Sequence, residues 1–382
     1  MSLTGHEDRG SKRKKILYYS EGWGVGGIER FIMNTVTALD PEQYGFDIFC
    51  THDWSRQFDR QIREHGGHRY VVFEGEKPDL VTRLRRSCQD WAKLLDRNHY
   101  DIVHINTMNG MGFAYAHIAR KAGVPVRIVH SHNTSLSSGH TIAKRAAHDL
   151  GYRLFSDDAT TNLACSEPAG AFLFRNKPFK VIHNGVDSAT FRYDSEIRSA
   201  ARKQLGVNDG TILFGSHGRL SEAKNPLFQV AVLQELKRQG RDACLLLIGD
   251  GELREKTLEN LNSLGLQDSA IIRKSTSHPE IYLNALDIFT IPSKFEGFPT
   301  NSVVEATATG LPCLIPDSFR NEDTIPFTNF KYLPLDPQTW ATAINTLTHI
   351  QKNRLDGTEL IYRIGYDRGQ IVRELEKLYH GE

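Results

Sequence analysis

The stretch Pro292-Ser-Lys-Phe-Glu-Gly-Phe-Pro-Thr-Asn-Ser-Val-Val-Glu-Ala-Thr-Ala-Thr-Gly-Leu-Pro-Cys313 decides the reading of this chain. It follows an apolar run, Asp287 to Ile291, that reads as a buried strand. A helix should open next, with Asn301 or Ser302 as N-cap and Glu305 in an early turn. Gly310 and Pro312 stop that helix, and Cys313-Leu314-Ile315 reads as the following strand. The loop therefore sits at a strand's carboxyl end, where open α/β sheets bind ligands. The helix N-terminus directs free N–H groups and positive partial charge at whatever lies before it. Two carboxylates, Glu296 and Glu305, beside such a terminus suit a ligand carrying both hydroxyls and phosphates, such as a sugar nucleotide. The competing reading makes both acids ordinary surface carboxylates. Phe295, Gly297, Phe298 and Pro299 around Glu296 are an unusual setting for one.

Upstream, the second half of the chain repeats the same grammar. Thr211 to Gly215 reads as a strand, and Ser216-His-Gly-Arg-Leu-Ser-Glu-Ala-Lys-Asn-Pro226 as a loop entering a helix, with Asn225 as cap and Pro226 in the first helical position. Arg219 and Lys224, in a loop opened by Gly218, supply a planar fork and a point charge in front of helix N–H groups, an anion site. The rival is a solvated basic loop. Ala243 to Ile248 is a strand ending in the tight turn Gly249-Asp-Gly-Glu252, and Ile271 to His278 is a strand with a polar loop. Pro337 to Ile350 reads as a helix capped by Asp336. The tail from Gly365 to His380 is helical, with Ile371, Leu375 and Leu378 on one stripe.

The first half alternates strands (Ile16 to Tyr19, Phe46 to Cys50, Tyr100 to Ile105, Val126 to Val129) with helices (Ile28 to Leu39, Phe113 to Lys121), the pattern of a parallel sheet. Gly22-Trp-Gly-Val-Gly-Gly27 matches a dinucleotide fingerprint, with Asp53 about where a ribose-binding acid would fall, so a nicotinamide-dependent oxidoreductase is a rival reading. His130-Ser-His-Asn133 ends a strand and is a binding-site candidate; the bland alternative is that it caps the next turn. His130 and His132 share one side of an extended chain, but no further His, Cys or carboxylate cluster accompanies them, so no metal is expected. Lys12-Arg-Lys-Lys15 reads as a solvated tail, with contact to anionic lipid as the alternative. Leu84, Cys88, Trp91 and Leu95 form a helical packing stripe.

Composition narrows the classes. The 382 residues suffice for two domains, and 39% hydrophobic with 24% charged residues marks a globular chain. A net charge of +1 gives no nucleic-acid signature. Five scattered cysteines without metal-like spacing favour a reducing compartment. No apolar run approaches the roughly 18 residues of a membrane span, and the N-terminus carries no secretory core.

Taken in order, Gly-Gly-Ile-Glu (26–29), Val-His-Ser-His-Asn (129–133), His-Asn-Gly-Val-Asp (183–187), Gly-Arg-Leu with Lys-Asn (218–225), Gly-Asp-Gly-Glu (249–252) and Glu-Gly-Phe-Pro with Glu-Ala (296–306) resemble the retaining glycosyltransferases of family 4, in wording closest to the capsular and exopolysaccharide branch. The resemblance implies the GT-B fold: two facing Rossmann-like parallel-sheet domains with an interdomain cleft. The divisions expected are a disordered tail at 1–13, an acceptor-side domain at 14–187, a nucleotide-sugar domain at 188–364, and a helix at 365–382 crossing back to the first domain. It implies that Gly26 and Gly27 face the donor diphosphate, that Arg219 and Lys224 bind it, and that Glu296 meets the donor sugar. The backbone of Gly297, Phe298, Pro299, Thr300 and Asn301 would touch sugar and phosphate, and Glu305 the ribose. His130 would lie by the reacting sugar, with His132 and Asn133 on the acceptor side. No cofactor or metal is implied, the two cations standing in for one. The partners implied are a nucleotide-sugar donor, UDP-linked by expectation, and a glycan or lipid-linked acceptor, with peripheral membrane contact at the inner face of a cytoplasmic location and no nucleic acid. A silent nucleotide-sugar-binding protein and a UDP-sugar epimerase are further alternatives.

The sequence departs from the family pattern in three places. The paired glutamates stand nine positions apart where the family usually has eight. Were the extra residue inside the helix, Glu305 would turn about 100° off its face. His183 replaces a common proline, and Ile272-Arg-Lys-Ser275 lacks the usual apolar-glycine wording near the base.

Overall fold

The computed structural model describes residues 13–75, 78–136, 141–295, 299–320, 328–350, 354 and 356–381. The chain divides into two compact units, Met1–Asn184 with Arg368–Glu382, and Gly185–Asp367.

In the first unit the elements run β1 (Lys14–Trp23), α1 (Gly27–Val36), β2 (Tyr44–Asp53), α2 (Asp59–Glu64), β3 (His68–Phe73), α3 (Leu80–Arg97), β4 (Ile102–Thr107), α4 (Gly112–Lys121), β5 (Val126–Ser131), α5 (Thr141–Phe155), β6 (Thr161–Ala164), α6 (Glu167–Phe174) and β7 (Lys180–Val181), closed by the C-terminal helix Arg368–His380. The strands form a parallel sheet in the order β3-β2-β1-β4-β5-β6-β7. Both faces of the central strands are buried, so they are largely apolar and alternate residues serve opposite cores. Ile16, Tyr18, Ile102 and Ile128 face α1 and the C-terminal helix, while Leu17, Tyr19, Val103 and Val129 face the other way. The C-terminal helix joins this unit through Ile371, Leu375 and Tyr379, members of the stripe read in the sequence.

The second unit runs α7 (Ser195–Leu205), β8 (Ile212–His217), α8 (Pro226–Arg238), β9 (Ala243–Ile248), α9 (Arg254–Ser263), β10 (Ala270–Arg273), α10 (Pro279–Ala285), β11 (Ile288–Thr290), α11 (Asn301–Ala308), β12 (Cys313–Pro316), β13 (Phe330–Leu333), α12 (Pro337–Ile350) and α13 (Gly357–Arg363). Its parallel sheet has the order β10-β9-β8-β11-β12-β13. In each unit the first strand therefore neighbours a later strand on one side and its successor on the other, a topological switch point, with β1 beside β4 and β8 beside β11.

Within the second unit the two ends are joined beside the 184/185 and 367/368 divisions: Val186 N–H donates to the Tyr366 carbonyl at 2.9 Å and the Ser188 hydroxyl to Asp367 at 2.6 Å. Several local expectations need correction. Of the basic run, Lys12 lies outside the described residues, while Arg13, Lys14 and Lys15 each hold a partner on the unit. Arg13 donates to the Tyr44 carbonyl, Lys14 to the Tyr379 carbonyl, and Lys15 pairs with Asp47. Strand β1 continues through Trp23, pairing Gly22 with His52, so Gly22 turns nothing and lies under the Trp54 ring. Asp53, the acid a dinucleotide would need, is held by Arg69 at 3.2 Å. The oxidoreductase reading loses both its turn and its ribose partner.

Candidate functional site

The strongest site features of the second unit gather at its switch point. Loop 218–225, between β8 and α8, lies against the segment following β11. Lys294 N–H donates to the Ala223 carbonyl at 2.8 Å, Lys294 pairs with Glu222, and Asn225 Nδ2 donates to the Pro292 carbonyl at 3.3 Å. Asn225 is the N-cap before Pro226, in a left-handed conformation (φ 54°); its side chain makes no cap bond and bridges the loops instead. On the other side the loop is pressed onto the turn after β9. Gly218 N–H donates to the Ile248 carbonyl at 2.9 Å, and a Cβ on Gly249 would stand 1.8 Å from the Gly218 carbonyl oxygen. That contact explains the first glycine of Gly-Asp-Gly-Glu: loop 218–225 can approach only bare backbone.

The result is a narrow pocket walled by His217, Gly218, Arg219, Lys224, Pro292 and Ser302. Arg219 is exposed, Lys224 is half-buried, and the N-terminus of α11 closes the pocket beside Ser302. That helix begins at Asn301 with Thr300, not Asn301 or Ser302, as N-cap, and no side chain caps it. Two cations and an uncapped helix start make an electropositive cleft suited to a phosphate-bearing ligand. The floor is polar but satisfied: buried Gln229 accepts from Thr290 at 2.6 Å and donates to Ser216 at 3.0 Å. Glu305 is 3% exposed, and its Oε2 stands 2.8 Å from His217 Nε2. Glu296, Gly297 and Phe298 lie outside the described residues; Pro299, Thr300 and Asn301 are half-buried on the approach to α11. His217 and Gln229 were missed in the sequence. The signal for His217 was its place at a strand's carboxyl end, immediately before Gly218-Arg219.

In the first unit Gly26 and Gly27 are exposed at the start of α1, with Gly26 as N-cap. Glu29 reaches back over them. A Cβ on Gly26 would stand 2.8 Å from its Oε2, and burial raises the Glu29 carboxyl while the Gly24 and Gly26 amides pull it down. This is the return half of a capping box.

His130 and His132 do share one side, their ring centroids 4.2 Å apart. A third histidine, unforeseen, joins them: His104 Nε2 lies 3.2 Å from His130 Nδ1 and its Nδ1 is 2.9 Å from the Tyr379 hydroxyl, which lies 2.9 Å from that of Tyr18. His132 Nε2 is 2.9 Å from Asn106 Oδ1, and Phe31 packs edge-on against His130. His130 is fully buried and His132 is half-buried. Burial pushes His104 and His132 down to about 3 and His130 well below the ordinary histidine range, so all three are neutral. Among the described residues no group of three or more metal-ligating side chains is arranged to hold an ion.

A pocket of about 220 Å³ opens at this unit's own switch point. Tyr19 and Glu21 from β1, Thr107 at the end of β4, Arg83 from α3, Asn133 after β5 and Lys144 from α5 contribute its polar lining. Arg83 pairs with Glu21 at 3.4 Å. Beside it, α5 exposes Ile142, Leu150 and Leu154 together with Arg145 and Arg153. None of the described helices is long and apolar enough to cross a membrane.

The chain is similar to known proteins over both units. The family described as Glycosyltransferase Family 4 matches residues 25–190, and Glycosyl transferases group 1 matches residues 197–359. The chain is 29% identical over 378 residues to the putative glycosyltransferase EpsF of Bacillus subtilis, covering 97% of each. It is 30% identical over 305 residues to the UDP-Gal:alpha-D-GlcNAc-diphosphoundecaprenol alpha-1,3-galactosyltransferase of Escherichia coli, covering 76% of each. Among solved structures, Anabaena Alr3699/HepE in complex with UDP-glucose superposes with a TM-score of 0.74 at 18% identity, over 96% of this chain and all of that one.

Proposed function

The chain belongs to the glycosyltransferases of family 4, and on that premise we propose that it moves a sugar, with retention and without a metal, from a UDP-sugar to a lipid-linked or glycan acceptor of surface polysaccharide synthesis. The observation that carries the donor half is the pocket of the second unit, where Arg219, Lys224 and the start of α11 converge. Transfer leaves negative charge on the departing diphosphate and positive charge at the anomeric carbon. Arg219 and Lys224 neutralise the former as it develops, the role a metal ion would otherwise fill. The acceptor hydroxyl attacks on the leaving-group face and a phosphate oxygen takes its proton, so neither Glu296 nor Glu305 serves as a nucleophile. Glu296 meets the donor sugar. UDP is the chosen nucleotide because the Escherichia coli relative is named for UDP-Gal and the Anabaena structure holds UDP-glucose.

The pocket of the first unit takes the acceptor. Its hydroxyl and amide lining fits a saccharide, Asn133 contributes directly, and Arg83 with Lys144 favours an acceptor that carries phosphate. The exposed apolar and basic face of α5 beside it seats the protein on an anionic membrane carrying such an acceptor. The docked Lys14 and Lys15 are not part of that seat.

Two experiments test these halves. UDP-sugar turnover with excess chelator should match turnover without it, and Arg219→Ala should lower it by about 10²–10³. Near-normal turnover in the variant removes Arg219 from the mechanism. Flotation with phosphatidylglycerol vesicles should carry the wild type and leave Ile142→Glu/Leu150→Glu behind; equal flotation of both would displace the membrane seat from α5.

A further inference from the structure

We propose that Trp54 is a stacking platform for a hexopyranose ring of the acceptor, set beside the pocket of the first unit. The proposal rests on the acceptor reading above and adds a subsite to it. Trp54 directly follows β2 and is 59% exposed, whereas the other three tryptophans, Trp23, Trp91 and Trp340, are fully buried. Its root is fixed, because Trp54 N–H donates to the Trp23 carbonyl at 2.9 Å. Its ring is seated on bare backbone. A Cβ on Gly22 would stand 2.3 Å from Cζ3, 2.5 Å from Cη2 and 2.8 Å from Cε3, and one on Gly24 would stand 3.8 Å from Cε3. Two glycines of the dinucleotide-like fingerprint therefore make room for an indole. Beside the ring a stack continues inward. His52 lies near-parallel to Trp54 with centroids 6.3 Å apart and to Phe73 at 5.4 Å, and the Arg86 guanidinium lies over Phe73 at 5.3 Å. A large ring held on backbone and on a neighbouring ring offers contact area at little ordering cost.

The occupant follows from the chemistry of the platform and its rim. One flank of a hexopyranose presents C–H bonds of slight positive charge, and the face of an indole is the negative part of its quadrupole, so the two pack flat. The sugar hydroxyls then point outward from the ring edge and need polar neighbours. Arg56, two residues on, and Glu74, which follows Phe73, are both largely exposed; Arg56 lies 3.6 Å from Asp53 and 3.7 Å from Glu74. No surplus of positive charge results, since Arg56 and Arg69 face Asp53, Asp59 and Glu74. A neutral saccharide suits this rim, whereas an anionic lipid surface calls for the excess of cations that α5 carries and this edge lacks. The location agrees. Glu21, immediately before Gly22, and Thr51, three residues before Trp54, line the acceptor pocket. A ring stacked on Trp54 is thus a further sugar unit of a glycan acceptor that extends out of that pocket.

With the other tryptophans buried, acrylamide quenching of intrinsic fluorescence reads Trp54 alone. Maltotriose, cellotriose and triacetylchitotriose serve as saccharide probes, with phosphatidylglycerol vesicles beside them. At least one saccharide should shield the wild-type ring from acrylamide. By calorimetry that saccharide should bind Trp54→Ala about three- to ten-fold more weakly, the worth of one good stacking contact, and Trp54→Tyr should recover much of the loss. Gly22→Ala keeps the indole but forces it off its seat, and should weaken binding by a similar factor. Should Gly22→Ala melt early, Trp54→Ala still decides, because it removes a mostly exposed side chain.

Unchanged affinity in Trp54→Ala, shielding by no saccharide, or shielding by vesicles alone would overturn the proposal, the last by making Trp54 a membrane contact. Full affinity in a folded Gly22→Ala would overturn the role given to the glycine seat. UDP titrated into the same preparations keeps the underlying reading separate. A wild-type chain that binds none of UDP, GDP and ADP defeats the transferase reading whatever Trp54 does. A chain that binds UDP yet leaves Trp54 open to acrylamide with every saccharide defeats the platform alone.

Discussion

The two units build a pocket at the same topological place, between the first strand and the strand that joins it after the chain reverses, yet they furnish it oppositely. At the head of β8 and β11 one cation stands open: Arg219 is exposed, and the first turn of α11 has no side-chain cap. At the head of β1 and β4 the titratable groups close on one another, His130 on His104, His104 on Tyr379, His132 on Asn106, Arg83 on Glu21. The difference teaches that a shared switch point predicts where a ligand goes and says little about what the residues there do. An open cation serves a visiting anion. A closed chain of neutral rings holds the sheet together first, and only its rim is available to a substrate.

The contrast breaks most visibly at Arg219. Its replacement by alanine should cost about 10²–10³ in turnover while leaving denaturation by urea unchanged, because an exposed side chain supports no buried partner. A variant that lost stability as well would show the second unit to be knitted around its cations just as the first is around its histidines.

Acid should separate the units next. An unfolded histidine titrates near 6.5, whereas burial holds His104 and His132 at about 3 in the folded chain. Between those values the unfolded chain binds more protons, so stability rises with pH there. It is present in full above about 6.5 and falls away as the pH drops towards 3, by about 1.4 kcal/mol per pH unit for each such ring. Urea denaturation at pH 7.5 and pH 5, read by peptide-resolved hydrogen exchange, should show β4 and β5 losing protection in acid while β8 and β9 hold. Equal losses in both units would mean that the imidazoles are solvated.

These histidines also mark the limit of what the sequence discloses. Parallel sheets buried on both faces produce apolar strands, and glycine or proline punctuates each loop, so the alternation of strands and helices was legible from Ile16 onward. Arg219 and Lys224 were legible because loop chemistry is local: a strand end, a glycine, two cations and a helix start lie within a few residues. His104 was not. It is one polar residue inside the apolar run Tyr100 to Ile105, and only the pairing of β4 with β5 brings it beside His130. His217 was visible but unweighted, since Glu305, beside it in the fold, lies far along the chain. The N-cap of α11 slipped to Thr300 because Thr, Asn and Ser stand in succession there and each can begin a helix.

The mildest test, Tyr379→Phe, sharpens the comparison from within the first unit. Asn106 Nδ2 donates to the carbonyls of Tyr19 and His104, so its Oδ1 accepts from His132. The carbonyls of Ala164 and Ile182 face the His130 ring, whose Nε2 makes no well-formed hydrogen bond to them; this favours the proton on Nε2 and leaves Nδ1 to accept from His104. His104 Nδ1 must then accept from the Tyr379 hydroxyl, which accepts from Tyr18. Phenylalanine leaves the ring packing of the C-terminal helix intact but strands His104 Nδ1 and the Tyr18 hydroxyl without partners in a buried place. The loss should be about 1–3 kcal/mol, the ordinary penalty for an unsatisfied buried polar group, with UDP affinity unchanged. If instead UDP affinity fell with stability intact, the chain of rings would belong to the donor site, and the two pockets would not differ in the way their side chains indicate.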